Sequence, residues 1–343
     1  MVTNIDENGL LLHVGVHKTG TTALQGALAA KRDELLALGV LYPGPDDAQH
    51  RAAMGALGKH WGWRGRGGGD VRKSHFTKLA KQVRSHPGRA IVSSEFFCEA
   101  TDEQAASIVK AFGKPVDVMI TVRNLGMILP SSWQQYLKSG LNWWYTPWLK
   151  EMLENKQSPK ITASFWQRHD IGRVVTAWSR AVGPERVHVV VLEDAARDRG
   201  FRTTEALVGL PAGLLAHEDS ANRSMTEAEA FTLLLLNKEI KAETDWITYQ
   251  KLVRVGMVRG MVANRTPAKD EPKLATPDWA LDRAAELGSQ MAAIVSGLGV
   301  EIVGDINEVG RRLPTPTPHG SAPMPIDAAV AAVAGMVDAV KTL

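Results

Sequence analysis

The chain is poor in several things, and each shortage excludes something. Among 343 residues there is a single cysteine, Cys98, so no intrachain disulfide can form and no multi-cysteine zinc site can be built. The formal net charge is only +3, too small to mark a nucleic-acid binder. No run of 18 apolar residues occurs, so no membrane-spanning helix is expected. The first residues are polar and acidic and lack the basic and apolar regions of a secretory signal. These shortages together lead us to expect a cytoplasmic protein. What is present is an ordinary globular balance, 44% hydrophobic and 22% charged, in a chain long enough to bury a large core.

Short apolar runs at 10–16, 90–94, 116–122 and 187–192 read as buried strands. Between and after them, apolar spacing near 3.6 predicts helices over 22–38, 102–112, 165–181, 226–241 and 279–298, with further helical residues up to Lys138. Strands alternating with helices imply an α/β fold, a parallel sheet flanked by helices. Ligands in such sheets bind beyond the carboxyl ends of the strands. The Gly-rich, basic stretch 59–73 reads as a flexible solvated loop. A Pro/Thr/Ser-rich linker over 314–325 leads to a small Ala/Val-rich helix, so residues 1–313 are expected to form the main domain and 314–343 a linker with a short helix.

The first strand runs into His17-Lys18-Thr19-Gly20-Thr21-Thr22 and then into a helix. Backbone N–H groups of such a turn converge on an anion, and the helix N-terminus adds partial positive charge. Gly20 lets the backbone come close, the hydroxyls of Thr19, Thr21 and Thr22 can donate, and Lys18 brings a full charge. Nucleotide-binding loops of the Gly-Lys-Ser/Thr kind place lysine after the last glycine. Here Lys18 precedes Gly20, so the ammonium approaches its anion differently.

Lys18-Thr19-Gly20-Thr21-Thr22 after an apolar strand resembles the 5′-phosphosulfate loop of sulfotransferases that use 3′-phosphoadenosine 5′-phosphosulfate (PAPS). The form that begins with His17 resembles their bacterial members, and the run on to Ala23-Leu24 is similar to the heparan-type enzymes. The resemblance implies a P-loop-NTPase-like sulfotransferase fold and PAPS as donor, with no metal required. It implies that His17, Lys18, Thr19, Gly20, Thr21 and Thr22 cradle the 5′-phosphosulfate, Lys18 touching the bridging oxygen of the leaving phosphate. The family reads the 3′-phosphate with an arginine ending a strand and a serine eight residues on, which falls here on Arg123 and Ser131. Arginine suits a bidentate phosphate contact, and Ser131, following Pro130, is expected in the first turn of a helix. The family commonly has proline two residues after that arginine; this chain has Leu125.

In-line transfer needs a base for the acceptor's proton. Glu95, just past the 90–94 strand, is the first choice and His17 the alternative. His13, inside its strand, reads as core. Trp143, Trp144, Tyr145 and Trp148 read as core more than as pocket rim. Glu193 and Asp194 are expected to organise the turn after the fourth strand. In Asn222-Arg223-Ser224, Ser224 is expected to cap a helix with Glu227 completing a capping box. Cys98 reads as inert packing. The acceptor is expected to be a small molecule or glycan bearing a hydroxyl or amine, with no nucleic-acid partner. Two other functions stay open, a nucleotide-dependent kinase and a non-catalytic nucleotide-binding protein of the same fold.

Overall fold

A computed structural model describes residues 3–157, 159–216, 223–316 and 323–341. Asn222 and positions 317–322 of the expected linker lie outside the described residues. Six strands form one all-parallel sheet: β1 (Leu10–His13), β2 (Val40–Leu41), β5 (Arg89–Ser93), β6 (Val116–Arg123), β7 (Val187–Leu192) and β8 (Glu301–Val303). Their order is β2-β5-β1-β6-β7-β8, every neighbouring pair parallel. A separate antiparallel hairpin joins β3 (His60–Trp61) to β4 (Gly69–Asp70).

Both faces of the sheet are buried because successive strand residues point to opposite sides. Leu10, Leu12, Val118 and Ile120 pack with Ile108 and Phe112 of helix Asp102–Phe112 and with Val174 and Trp178 of helix Ile171–Val182. Leu11, Ile91, Met119 and Val190 pack on the other face with Leu24 and Leu28 of helix Thr21–Ala30 and Phe201 of helix Arg199–Val208. Leu12 is fully buried, so truncation to alanine is worth about 2–5 kcal/mol. From β1 the chain builds β2 and β5 on one side, then crosses to β6, β7 and β8 on the other. The carboxyl end of β1 is therefore the switch point where ligands collect in open α/β sheets.

Two expected helices are each broken in two. The 22–38 segment divides at Lys31 into Thr21–Ala30 and Arg32–Ala37, and Arg32 just past the break donates to the carbonyls of Tyr42 and Asp46. The 165–181 segment divides at Asp170, whose carboxylate caps the second half by accepting from the Arg173 N–H. The capping box before helix Glu227–Ile240 is formed by Thr226 and Glu229, two residues later than Ser224 and Glu227. Helix Ile326–Lys341 packs through Ala328, Ala332 and Ala339, and Asp327 pairs with Arg265 at 2.7 Å. Among the described residues no helix is long and apolar enough to cross a membrane.

Candidate functional site

The backbone after β1 stays beside β6, with Val14 N–H donating to Met119 and Val16 N–H to Thr121. Beneath it lies a buried polar network. His13 Nδ1 is 2.8 Å from Ser93 Oγ and its Nε2 3.2 Å from Thr121 Oγ1. Thr121 in turn is 2.8 Å from Thr19 Oγ1, which donates to the Val16 carbonyl at 2.7 Å. Burial lowers the His13 pKa to about 4, so the ring stays neutral in this network. A Cβ at Gly15 would lie 2.5 Å from Thr121 Oγ1 and 2.7 Å from His13 Nε2, so only glycine fits there. The network corrects one expectation. The Thr19 hydroxyl is turned into the sheet and occupied, which leaves its backbone N–H as the only group it can offer an anion.

Above the network the loop is strained. Lys18 adopts a left-handed backbone, φ 70°, as does Gly20 at φ 72°. For a lysine this conformation costs about 1–2 kcal/mol. Helix Thr21–Ala30 begins at once, with Gly20 as its N-cap and no side-chain cap on its first N–H groups. Lys18, Gly20, Thr21, Thr22 and Ala23 line a cleft of about 1090 Å³ at this helix N-terminus. That is at the top of the range for small-molecule pockets, about 300–1,000 Å³.

His17, Lys18, Gly20, Thr21, Thr22, Glu95, Arg123 and Ser131 all line this one cleft. Arg123 is the last residue of β6 and Glu95 lies two beyond the end of β5, so both come from the carboxyl edge of the sheet. Ser131 arrives differently from expectation. Helix Leu125–Leu137 starts at Leu125, capped by the Asn124 side chain on Gly126 N–H, with Pro130 inside it. Ser131 is thus in the second turn, and its hydroxyl, not a helix N-terminus, is what it presents.

The cleft is strongly cationic. Eight lysines and arginines line it against two glutamates, Glu95 and Glu99. Glu99 is taken up by Lys59 at 2.8 Å and Arg168 at 2.9 Å. Glu95 accepts from Gln25 at 3.2 Å and lies 3.6 Å from His50 Nδ1. The Lys18 ammonium donates to Gln135 at 3.3 Å. Burial lowers its pKa, and the charge of Glu95 works the other way. His17 Nε2 is buried with no hydrogen-bond partner and lies 3.8 Å from Glu99. Burial first, then the charges of Arg168, His169, Lys18 and His50, hold His17 well below the usual imidazole range, so it is neutral at pH 7.

Other expectations divide. Tyr145 and Trp148 are core, whereas Trp143 and Trp144 are more than a third exposed, and none of the four lines the cleft. The aromatic rim is Trp61, Trp63, Phe96, Tyr136 and Trp246. The 59–73 stretch is a largely exposed loop, as expected, but one that closes through a short hairpin and is pinned by Trp63 and Arg66. The Trp63 ring lies tilted 4.8 Å from Tyr249 and 5.4 Å from Trp246 and its N–H donates to the Ser139 carbonyl, while Arg66 donates to the carbonyls of Lys241 and Thr244. Glu193 pairs with Arg199. Cys98 is fully buried and burial pushes its thiol pKa up, so it is inert. Arg223 and Ser224 both line the cleft.

Sequence reasoning missed His50, Lys138, Arg168, Arg197 and Arg254, all lining the cleft. Only Lys138 left a signal: with Ser131 and Gln135 it follows the i, i+4, i+7 spacing of one helix face.

No family model and no curated protein matches the chain. Among solved structures, a sulfotransferase from Alicyclobacillus acidocaldarius is similar at 18% sequence identity, over 72% of this chain and 99% of that one, with a TM-score of 0.44.

Proposed function

We propose that this chain transfers a sulfuryl group from PAPS to a hydroxyl or amine of an acceptor. The observation that carries the reading is the convergence of two separate anion contacts, the Lys18–Thr22 turn and Arg123 with Ser131, in one cleft where cations outnumber acids. Loop N–H groups with Thr21 and Thr22 hold the 5′-phosphosulfate, while Arg123 and Ser131 hold the 3′-phosphate. The excess of cations over acids and the size of the cleft fit a doubly phosphorylated nucleotide with room for an acceptor.

Glu95 accepts the proton of the acceptor O–H or N–H. The acceptor atom bonds to sulfur as the bond from sulfur to the bridging phosphate oxygen breaks, and adenosine 3′,5′-bisphosphate leaves. Lys18 stabilises the charge that grows on that oxygen. Gln25 and His50 fix the carboxylate of Glu95. His17, neutral and against Glu99, buttresses the turn. Incubation with sulfur-labelled PAPS and a panel of acceptor extracts is the test. Label should appear in an acceptor with wild type and be lost with Lys18→Ala; no transfer to any extract, together with no affinity for the nucleotide, would sink the reading.

A further inference from the structure

The cleft holds more positive charge than the two nucleotide contacts use. Lys138 ends the face of helix Leu125–Leu137 that begins with Ser131 and passes through Gln135, the partner of Lys18. Seven residues at 1.5 Å each set Lys138 about 10 Å along the axis from Ser131, too far for one phosphate to meet both. Arg254 comes from the opposite end of the chain, on Tyr249–Val258, a segment wound as a π-helix. Such windings are rare and favour functional sites. The Arg254 guanidinium lies over the Trp246 ring at 5.3 Å.

Neither cation has a carboxylate within ion-pair distance among the described residues. Glu229, the acid whose field reaches Lys138, is itself held by Arg223 at 2.7 Å and Arg265 at 2.9 Å. Burial first, then the charges of Lys18, Arg254 and Arg223, lower the Lys138 pKa to about 8, and burial lowers that of Arg254. Both residues are half-buried in the cleft, where a charge with no acid beside it suits an anion. The Trp246 ring under Arg254 is itself held tightly. The indole N–H of Trp246 is buried with no protein partner, and Gly62 closes on that ring, where a Cβ would lie 2.4 Å away. Trp63 packs against the same ring.

We infer that Lys138 and Arg254, held beside the packed Trp63–Trp246 pair, form a subsite for an anionic group on the acceptor, so that the substrate carries a carboxylate, sulfate or phosphate. The word acceptor rests on the sulfuryl-transfer reading; the anion subsite itself does not. Inorganic sulfate is the probe. Calorimetry titrates it, against chloride at matched ionic strength, into protein saturated with adenosine 3′,5′-bisphosphate. Wild type should bind sulfate, and Lys138→Met and Arg254→Met should each weaken that binding by about tenfold or more, the loss of one charged hydrogen-bond partner. Both variants should keep the wild-type affinity for the bisphosphate and for PAPS, and Lys138→Arg should restore sulfate binding. No sulfate binding to the saturated wild type overturns the subsite. So does a loss of nucleotide affinity in either variant, because the charge then serves the donor. If wild type fails to bind the bisphosphate, the sulfuryl-transfer reading falls instead. Sulfate titrated into the free protein then decides the subsite, and undiminished binding in both variants overturns it.

Discussion

Two charged regions lie at opposite edges of the same sheet, and they are built by opposite rules. At the amino edge of β6, β7 and β8, Asp117 lies 3.0 Å from Arg186 and 3.4 Å from His188, His188 lies 2.6 Å from Glu301, and Arg186 also reaches Asp6 at 3.0 Å. Each cation there has a carboxylate. Burial works to lower the His188 pKa, but hydrogen bonds and charge from Asp117 and Glu301 overcome it and the pKa is raised. At the carboxyl edge, eight lysines and arginines line one cleft with only Glu95 and Glu99 among them. A closed set of charges ties strands together; an open set, in which cations outnumber acids, suits an anion from outside the chain. A net charge of +3 for the whole protein conceals this separation.

The contrast is broken most severely by removing reacting groups from the open edge. Glu95→Gln should lower turnover by about a hundred- to ten-thousandfold. Lys18→Ala should lower it by about a hundred- to a thousandfold. Both variants should still bind the bisphosphate in calorimetry, because the loop N–H groups remain. Near-normal turnover in Glu95→Gln would move the base to His17 or His50 and leave the donor site standing.

Arg123→Ala should instead act on affinity, weakening bisphosphate binding by about 1.5–3 kcal/mol with a smaller effect on the rate at saturating donor. At the closed edge the effect should fall on stability alone. Asp117→Asn should destabilise the fold by about 1–3 kcal/mol in denaturant melts, since Arg186 and His188 lose their shared partner, with bisphosphate affinity unchanged.

Smaller effects should have opposite signs at the two edges. Lys138→Met removes a half-buried cation with no carboxylate in ion-pair distance among the described residues and should raise the melting temperature of the ligand-free protein, by about 1 kcal/mol of stability or less. His188 has a raised folded pKa, so its contribution is complete below the unfolded value of about 6.5 and is lost as pH rises through the folded one. His188→Gln should flatten that decline in a pH series of melts. A Lys138→Met protein that melts lower, or a decline unchanged in His188→Gln, would blur the distinction between the edges.

Much of the fold was legible because it is written locally. Apolar runs marked β1, β5, β6 and β7, and helix Asp102–Phe112 was bounded to the residue by its capping box and by Gly113. The edge strands Val40–Leu41 and Glu301–Val303 were not legible, since two or three residues carry no period. Pro130 misled: proline favours a first helical turn, but here it sits within a helix whose start is fixed by Asn124. The turn at Lys18 was legible because strand, glycine and hydroxyls are contiguous. The inward aim of Thr19 was not, because it depends on Thr121, far off in the chain. The anchoring of the 59–73 loop was not legible because its partners, Trp246, Tyr249 and the Lys241 carbonyl, come from the last third of the sequence. Arg254 and His50 join the site only through tertiary folding.

The most direct test of the central claim, that the open edge is a site for a nucleotide with phosphates at both the 5′ and 3′ positions, is calorimetric titration of adenosine 3′,5′-bisphosphate beside 5′-AMP. The account expects the bisphosphate to bind more tightly by about 1.5–3 kcal/mol, the worth of the charged contact at Arg123, and expects Arg123→Ala to erase that margin. Equal affinities for the two nucleotides in wild type would contradict it.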